Sequence, residues 1–243
     1  MSMDSKLVKA INNNHGLYQA VFKHHSISLQ FNNDVAYTTK KAPPYYSNLV
    51  TRCKEWQPDA IFQQIDNTYH QEGWQEWSIK DSFQVLELTT YGFTKLFDAE
   101  WMYLERDKFK PSAANHLHYK LIQSEEGLEQ WRSAWDSDIE VGKAIFTPSL
   151  LTNACLYFVA GYDKVEIVTG CVINKTEDVL GISNFFAPDQ SLHYWSTLIS
   201  FIHTSIEKKD LVGYERVDVV SRLNKLGVEP IGNLSVWLKK KQS

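Results

Sequence analysis

The side chains with chemistry to offer come in a few short groups. Tyr214 and Glu215, a phenol beside a carboxylate, end the apolar run LVGYE. An aromatic packed at a strand end, next to a helix-capping acid, accounts for the same two residues. Ser183 and Asn184 lie inside VLGISNFF and either donate to a ligand carbonyl or satisfy a strand bulge. His116 and His118 share a face of an extended segment, which is metal-ligand spacing, but no third ligand is evident and no metal is expected. His24 and His25 read as surface residues on opposite faces of a strand, and His203 as a satisfied histidine within a helix. No Gly-x-Ser-x-Gly, P-loop or His-Glu-x-x-His occurs, so those hydrolase, phosphate and zincin classes have no support.

Composition narrows the partners. The 243 residues make one large domain or two small ones. With 43% hydrophobic and 22% charged residues, wholesale disorder is excluded. The net charge of −4 gives no field to draw nucleic acid or an anionic membrane. Cys53, Cys155 and Cys171 are odd in number and far apart, against a disulfide framework or a zinc knuckle. MSMDSKLVKAINNNHG shows no signal peptide and no run of about 18 apolar residues exists, so a soluble, cytoplasmic protein is expected. Trp74, Trp77, Trp101, Trp131, Trp135, Trp195 and Trp237 sit at core-facing spacing and read as packing rather than an aromatic cage. Lys239–Lys241 reads as a solvated tail.

The elements that must position these residues alternate between strand and helix. His118–Ser124 reads as a strand and Glu125–Trp135 as an amphipathic helix with Leu128, Trp131, Ala134 and Trp135 on one face. Ala154–Ala160, Val165–Ile173 and Val179–Phe186 read as a three-strand meander. Pro188-Asp189 opens a helix to about Lys208; Leu211–Glu215 is a short strand; Val217–Leu226 is a helix stopped by Gly227; Asn233–Lys239 is a final strand. The first half repeats the end of that order: strand Asn48–Lys54, a helix from Pro58-Asp59 to about Glu72, strand Trp77–Asp81, helix Ser82–Tyr91 stopped by Gly92, and strand Leu96–Leu104.

The repetition has anchors. Ser47 to Trp101 and Ser183 to Trp237 each span 54 positions. Between them fall a Pro-Asp helix start, an aspartate (Asp81, Asp218) and a helix-stopping glycine. Two related units are expected, a truncated one over residues 1–110 and a complete one over 111–243, divided near Lys108–Asn115.

Strand, helix, meander, helix, strand, helix, strand is similar to the order of the GNAT N-acetyltransferase superfamily. Leu223–Leu238 (LNKLGVEPIGNLSVWL) resembles that family's closing helix–glycine–strand element. The resemblance implies an α/β (α+β) fold, a mixed sheet flanked by helices, and an acyltransferase of the acetyl-CoA or other acyl-CoA type acting on an amine. It implies a thioester in the splay between Ile182–Phe186 and Leu211–Glu215, with Tyr214 and Glu215 as catalytic groups. Asn184, Phe185, Phe186, Ala187 and Ser191 would be its cofactor contacts. The glycine loop for the pyrophosphate is replaced by Ala187–His193, in which Pro188 deletes an amide donor and Asp189 competes for the helix start. The family's tyrosine falls on Leu223 and its frequent asparagine on Arg216. The alternative is a non-catalytic binding or interaction protein that has lost the pyrophosphate loop.

Overall fold

Capping and periodicity explain most elements of the computed structural model, which describes residues 2–112, 116–136, 138–189 and 191–241. In chain order they are α1 (Met3–His24), β1 (Gln30–Phe31), β2 (Val35–Tyr37), β3 (Leu49–Thr51), α2 (Ala60–Gln71), β4 (Glu76–Asp81) and β5 (Thr94–Leu104). There follow β6 (His118–Ile122), α3 (Glu125–Trp135), α4 (Ile139–Ile145), β7 (Leu156–Asp163), β8 (Glu166–Lys175) and β9 (Val179–Phe186). The chain closes with α5 (Leu192–Ser205), β10 (Asp210–Glu215), α6 (Val217–Leu223) and β11 (Glu229–Lys240). Among the described residues no helix is long and apolar enough to cross a membrane.

Two compact units form. One comprises the chain up to Leu17 together with Glu100–Ile231; the other comprises Tyr18–Ala99 and the chain from Gly232 onward. In the first unit the strand order is β5-β10-β9-β8-β7-β6. The β7–β8–β9 meander is antiparallel, β10 runs parallel to β9, and β5 antiparallel to β10. α5 and α6 seal one face over Val159, Ile173, Leu180, Ile182 and Leu211. α3 covers the other, starting at Ser124, whose hydroxyl accepts the Gly127 amide at 3.1 Å. Its Trp131 is fully buried, donates to the Val159 carbonyl at 2.9 Å and meets Phe146, Phe158 and Phe186 edge to face. Each large apolar side chain so buried contributes about 1.5–3 kcal/mol.

In the second unit the order is β1-β2-β3-β4-β11, followed by the N-terminal part of β5. β3 and β4 are parallel. α2 buries Phe62, Ile65 and Tyr69, and Phe62 packs on Trp77 and Phe93.

The final strands trade places. β5, which ends the first half, pairs with β10 from Glu100↔Glu215 to Leu104↔Leu211. β11, which ends the chain, pairs with β4 from Ser235↔Asp81 to Lys240↔Glu76. The compact units therefore differ from the consecutive stretches 1–110 and 111–243, because each is completed by the last strand of the other half.

Four local expectations are corrected. Ser82–Tyr91 is a loop ending in a short 3-10 turn, Thr89–Tyr91, before Gly92, because the Asp81 carboxylate draws the amides of Phe83, Val85 and Leu86 onto itself. His24 and His25 lie at the end of α1 rather than in a strand. Lys239 and Lys240 belong to β11, where Lys239 pairs with Asp66 at 2.7 Å, and are not a free tail. α5 begins at Leu192, since Asp189 binds the Ser191 amide (2.7 Å) and leaves Ser191 as the helix cap.

Gly227 ends the α6 region at φ 97°, and a side chain there would strike the Lys108 carbonyl oxygen. Gly227→Ala should lower stability by at least about 2 kcal/mol, from the left-handed backbone and the overlap together. Urea denaturation checks this; a loss below about 0.5 kcal/mol would show that the loop simply moves aside.

Candidate active site

The parallel pair β9 and β10 forms the site. Its ladder runs from Val179↔Asp210 to Gly181↔Val212 and then ends. Beyond that point Ser183–Phe186 and Tyr214–Glu215 no longer pair with each other, so the strands fork at their C-terminal ends. This is where open α/β sheets offer a crevice.

Two features make the fork. On the β8 side, Val172↔Ser183 is followed by Gly170↔Phe186, so β9 carries one extra residue there. Asn184 takes up that bulge with φ 53°. Bulges bend the strand that carries them and leave a residue outside the ladder. Ser183 donates to the Val172 carbonyl at 3.4 Å, and Thr169 to the Phe186 carbonyl at 2.7 Å. On the β10 side, Gly213 lets the backbones approach: a Cβ there would lie 2.7 Å from the Ile182 carbonyl oxygen.

Glu215 ends β10, partly buried. Loss of water raises its carboxyl from the usual range to about 7, against the pull of the Arg216 amide and charge. Directly across the β5–β10 ladder stands Glu100. No sequence signal marks Glu100; only the exchange of final strands brings it here. Tyr214 points to the opposite face, since neighbours in a strand alternate, and its ring meets Trp101 edge to face at 5.4 Å. The two predicted catalytic side chains thus flank the strand end from opposite sides rather than converging on one atom.

The predicted cofactor contacts separate in the same way. Phe185 packs on Trp195, with ring centroids 4.0 Å apart, and Phe186 packs on Trp131. Both rings are therefore taken up in packing on the two faces of the sheet, and Asn184 sits at the bulge. Ser191 caps α5 without a side-chain bond to the helix amides; its hydroxyl meets His193 Nδ1 at 2.8 Å. Asp189 is exposed, and its bond to Ser191 holds its carboxyl below the usual range. Leu223 is buried in the core and Arg216 lies on the surface, paired with Asp218 at 3.1 Å.

The second unit has the same strand pair but no fork. Ser82 donates its hydroxyl to the Thr51 carbonyl (2.7 Å) and its amide to Thr51 Oγ1 (2.8 Å), joining the ends of β3 and β4. Asp59 caps α2 by accepting the Ile61 and Phe62 amides, so the helix start is occupied. His116 faces Asp163 at 3.5 Å, and His203 contacts the Lys209 carbonyl at 3.1 Å, its pKa lowered by burial. Among the described residues no group of three His, Cys, Asp or Glu could hold a metal ion.

No protein-family model and no curated protein matches this sequence. Solved structures do. A functionally unknown conserved protein from Staphylococcus epidermidis ATCC 12228 is similar at TM-score 0.68 and 15% identity, over 91% of this chain and 98% of that one. A GCN5-related N-acetyltransferase from Kribbella flavida is similar at TM-score 0.66 and 12% identity, over 95% and 96%. A tandem GNAT protein from the clavulanic acid biosynthesis pathway is similar at TM-score 0.52 and 10% identity, over 86% and 78%. With its fork, its bulge and these neighbours, the chain has the fold of the GCN5-related N-acetyltransferases.

Proposed function

We propose that this protein transfers an acyl group from an acyl-CoA thioester to an amine, in the fork between β9 and β10, and that its two halves are related in tandem, with a working site only in the unit that holds β9 and β10. The observation that carries this reading is the fork with Glu215 at its lip. A carboxyl whose pKa stands at about 7 is half ionised at neutral pH, which suits a general base. The amine nitrogen attacks the thioester carbonyl carbon, its proton passes to Glu215, and the carbon–sulfur bond breaks. Tyr214, on the opposite face, gives the thiolate its proton. Acid and base on opposite faces suit a carbonyl held in the gap, with attack from one side and departure on the other.

Donor binding is expected to be weak. Pro188 offers no amide, and the exposed Asp189 carboxylate stands beside the helix start that a pyrophosphate would use. Calorimetry should give acetyl-CoA a dissociation constant above about 1 µM, tightened roughly threefold by Asp189→Gly. Submicromolar binding by the unmodified protein would defeat this account of the loop. Acyl transfer itself is tested by thiol release from acyl-CoA against a panel of primary amines.

A further inference from the structure

An apolar cavity lies beneath the fork. Its walls include Met102, Ile182, Trp195, Ile199, Leu211 and Leu223, all buried, and no polar side chain lines it. As it stands the space takes no more than a water-sized group.

Met102 lines the cavity and reaches to Gly213 at the start of the fork. It faces Gly213 across the β5–β10 ladder. A Cβ on Gly213 would lie 2.8 Å from Met102 Cε and 2.7 Å from the Ile182 carbonyl oxygen. The methionine tip therefore lies over a bare glycine, one residue past the last β9–β10 pair. Methionine is unbranched and has three rotatable bonds, so it adapts to a new partner more readily than its aliphatic neighbours. Swinging it aside vacates Cγ, Sδ and Cε in addition to the existing void.

We infer that Met102 is the gate of an acyl-chain pocket, and that the protein selects donors whose acyl group carries a short hydrocarbon tail, butanoyl to hexanoyl, over acetyl. This rests on the reading that a thioester occupies the fork. The three vacated atoms and the water-sized void together give room for about four carbons, the length by which hexanoyl exceeds acetyl, and a wall of apolar side chains gains from hydrocarbon and from nothing charged. Each methylene sealed from water is worth roughly fourfold in affinity.

The test is a calorimetric series with acetyl-, butanoyl-, hexanoyl- and dodecanoyl-CoA on the whole protein, Met102→Ala and Ile199→Trp. Hexanoyl-CoA should bind the parent at least tenfold more tightly than acetyl-CoA, with no further gain at dodecanoyl. Met102→Ala should widen the preference, and Ile199→Trp, which fills the cavity, should abolish it. A parent protein indifferent to chain length, or a preference that survives Ile199→Trp, overturns the pocket. If no acyl-CoA binds, free hexanoate is titrated instead. Hexanoate bound by Met102→Ala and refused by Ile199→Trp upholds the pocket while the acyl-CoA reading fails; hexanoate bound by neither, or by both, overturns the pocket.

Discussion

Replacing Glu215 with glutamine should lower the acyl-transfer rate by about 10²- to 10⁴-fold, with the KM for the donor little changed. The substitution keeps the shape of the strand end and removes only the proton acceptor. In the parent, kcat/KM should climb as pH rises through about 7, as Glu215 ionises, and the variant should lack that limb. Stability should move the other way. The Glu215 carboxyl is raised in the folded state above its unfolded value near 4.5, so the folded chain holds an extra proton between those values. Stability is then lost as pH rises from about 4.5 through 7, and more alkaline solution leaves an ionised carboxylate partly stripped of water. Glu215→Gln should therefore raise Tm at pH 8.5, by a margin that shrinks as pH falls from 7 toward 4.5. A residue of purely structural importance would lose activity and stability together. A variant that keeps its rate, or melts earlier at pH 8.5, removes Glu215 from the mechanism.

The largest structural effect is expected at Asp81. Its side chain is fully buried and accepts the Phe83 amide at 3.1 Å, the Val85 amide at 2.6 Å and the Leu86 amide at 2.7 Å. Asp81→Ala strands three donors around a cavity, and the expected cost is about 3–5 kcal/mol. Asp81→Asn keeps one acceptor oxygen and should fall between the two. The midpoint of urea denaturation reads both. An alanine variant within about 1 kcal/mol of the parent would mean that water replaces the carboxylate without loss.

Asp81 also shows where sequence reading stopped. As a spacing marker it matched Asp218, yet Asp218 is a half-exposed partner of Arg216 and Arg222, whereas Asp81 organises a loop. Helix periodicity over Ser82–Tyr91 was outweighed by a carboxylate that offers those amides a better bond. The long α1 was hidden for a related reason. Its middle, NNNHG, is poor in helix formers, but Asn13 and Asn174 exchange side-chain to backbone bonds at 2.9 and 2.6 Å, and Leu7, Ile11, Tyr18 and Phe22 are buried at helical spacing. Elements with a cap or a stop were legible to the residue: α3 after Ser124, β9 as VLGISNFF, the turn at Gly227. The fork was legible only through family order. Glu100 and Met102 were not legible at all as site residues, because their positions depend on which strand lies beside β10.

That exchange of final strands bears on how the chain can be made. The first unit draws β5 from the first half of the chain, and the second waits for β11, which follows β4 only after all the strands of the first unit. On the ribosome β4 therefore emerges with β3 on one side and its other edge open, and the second unit is not complete until β11 has been made. High sequence separation of this kind slows folding and prolongs the exposure of unpaired strand edges. Cutting the gene near Pro111 would give two polypeptides that each lack an interior strand, so neither should yield a soluble product by itself. Their co-expression, which restores both missing strands in trans, is the route by which a split form of this protein would be recovered.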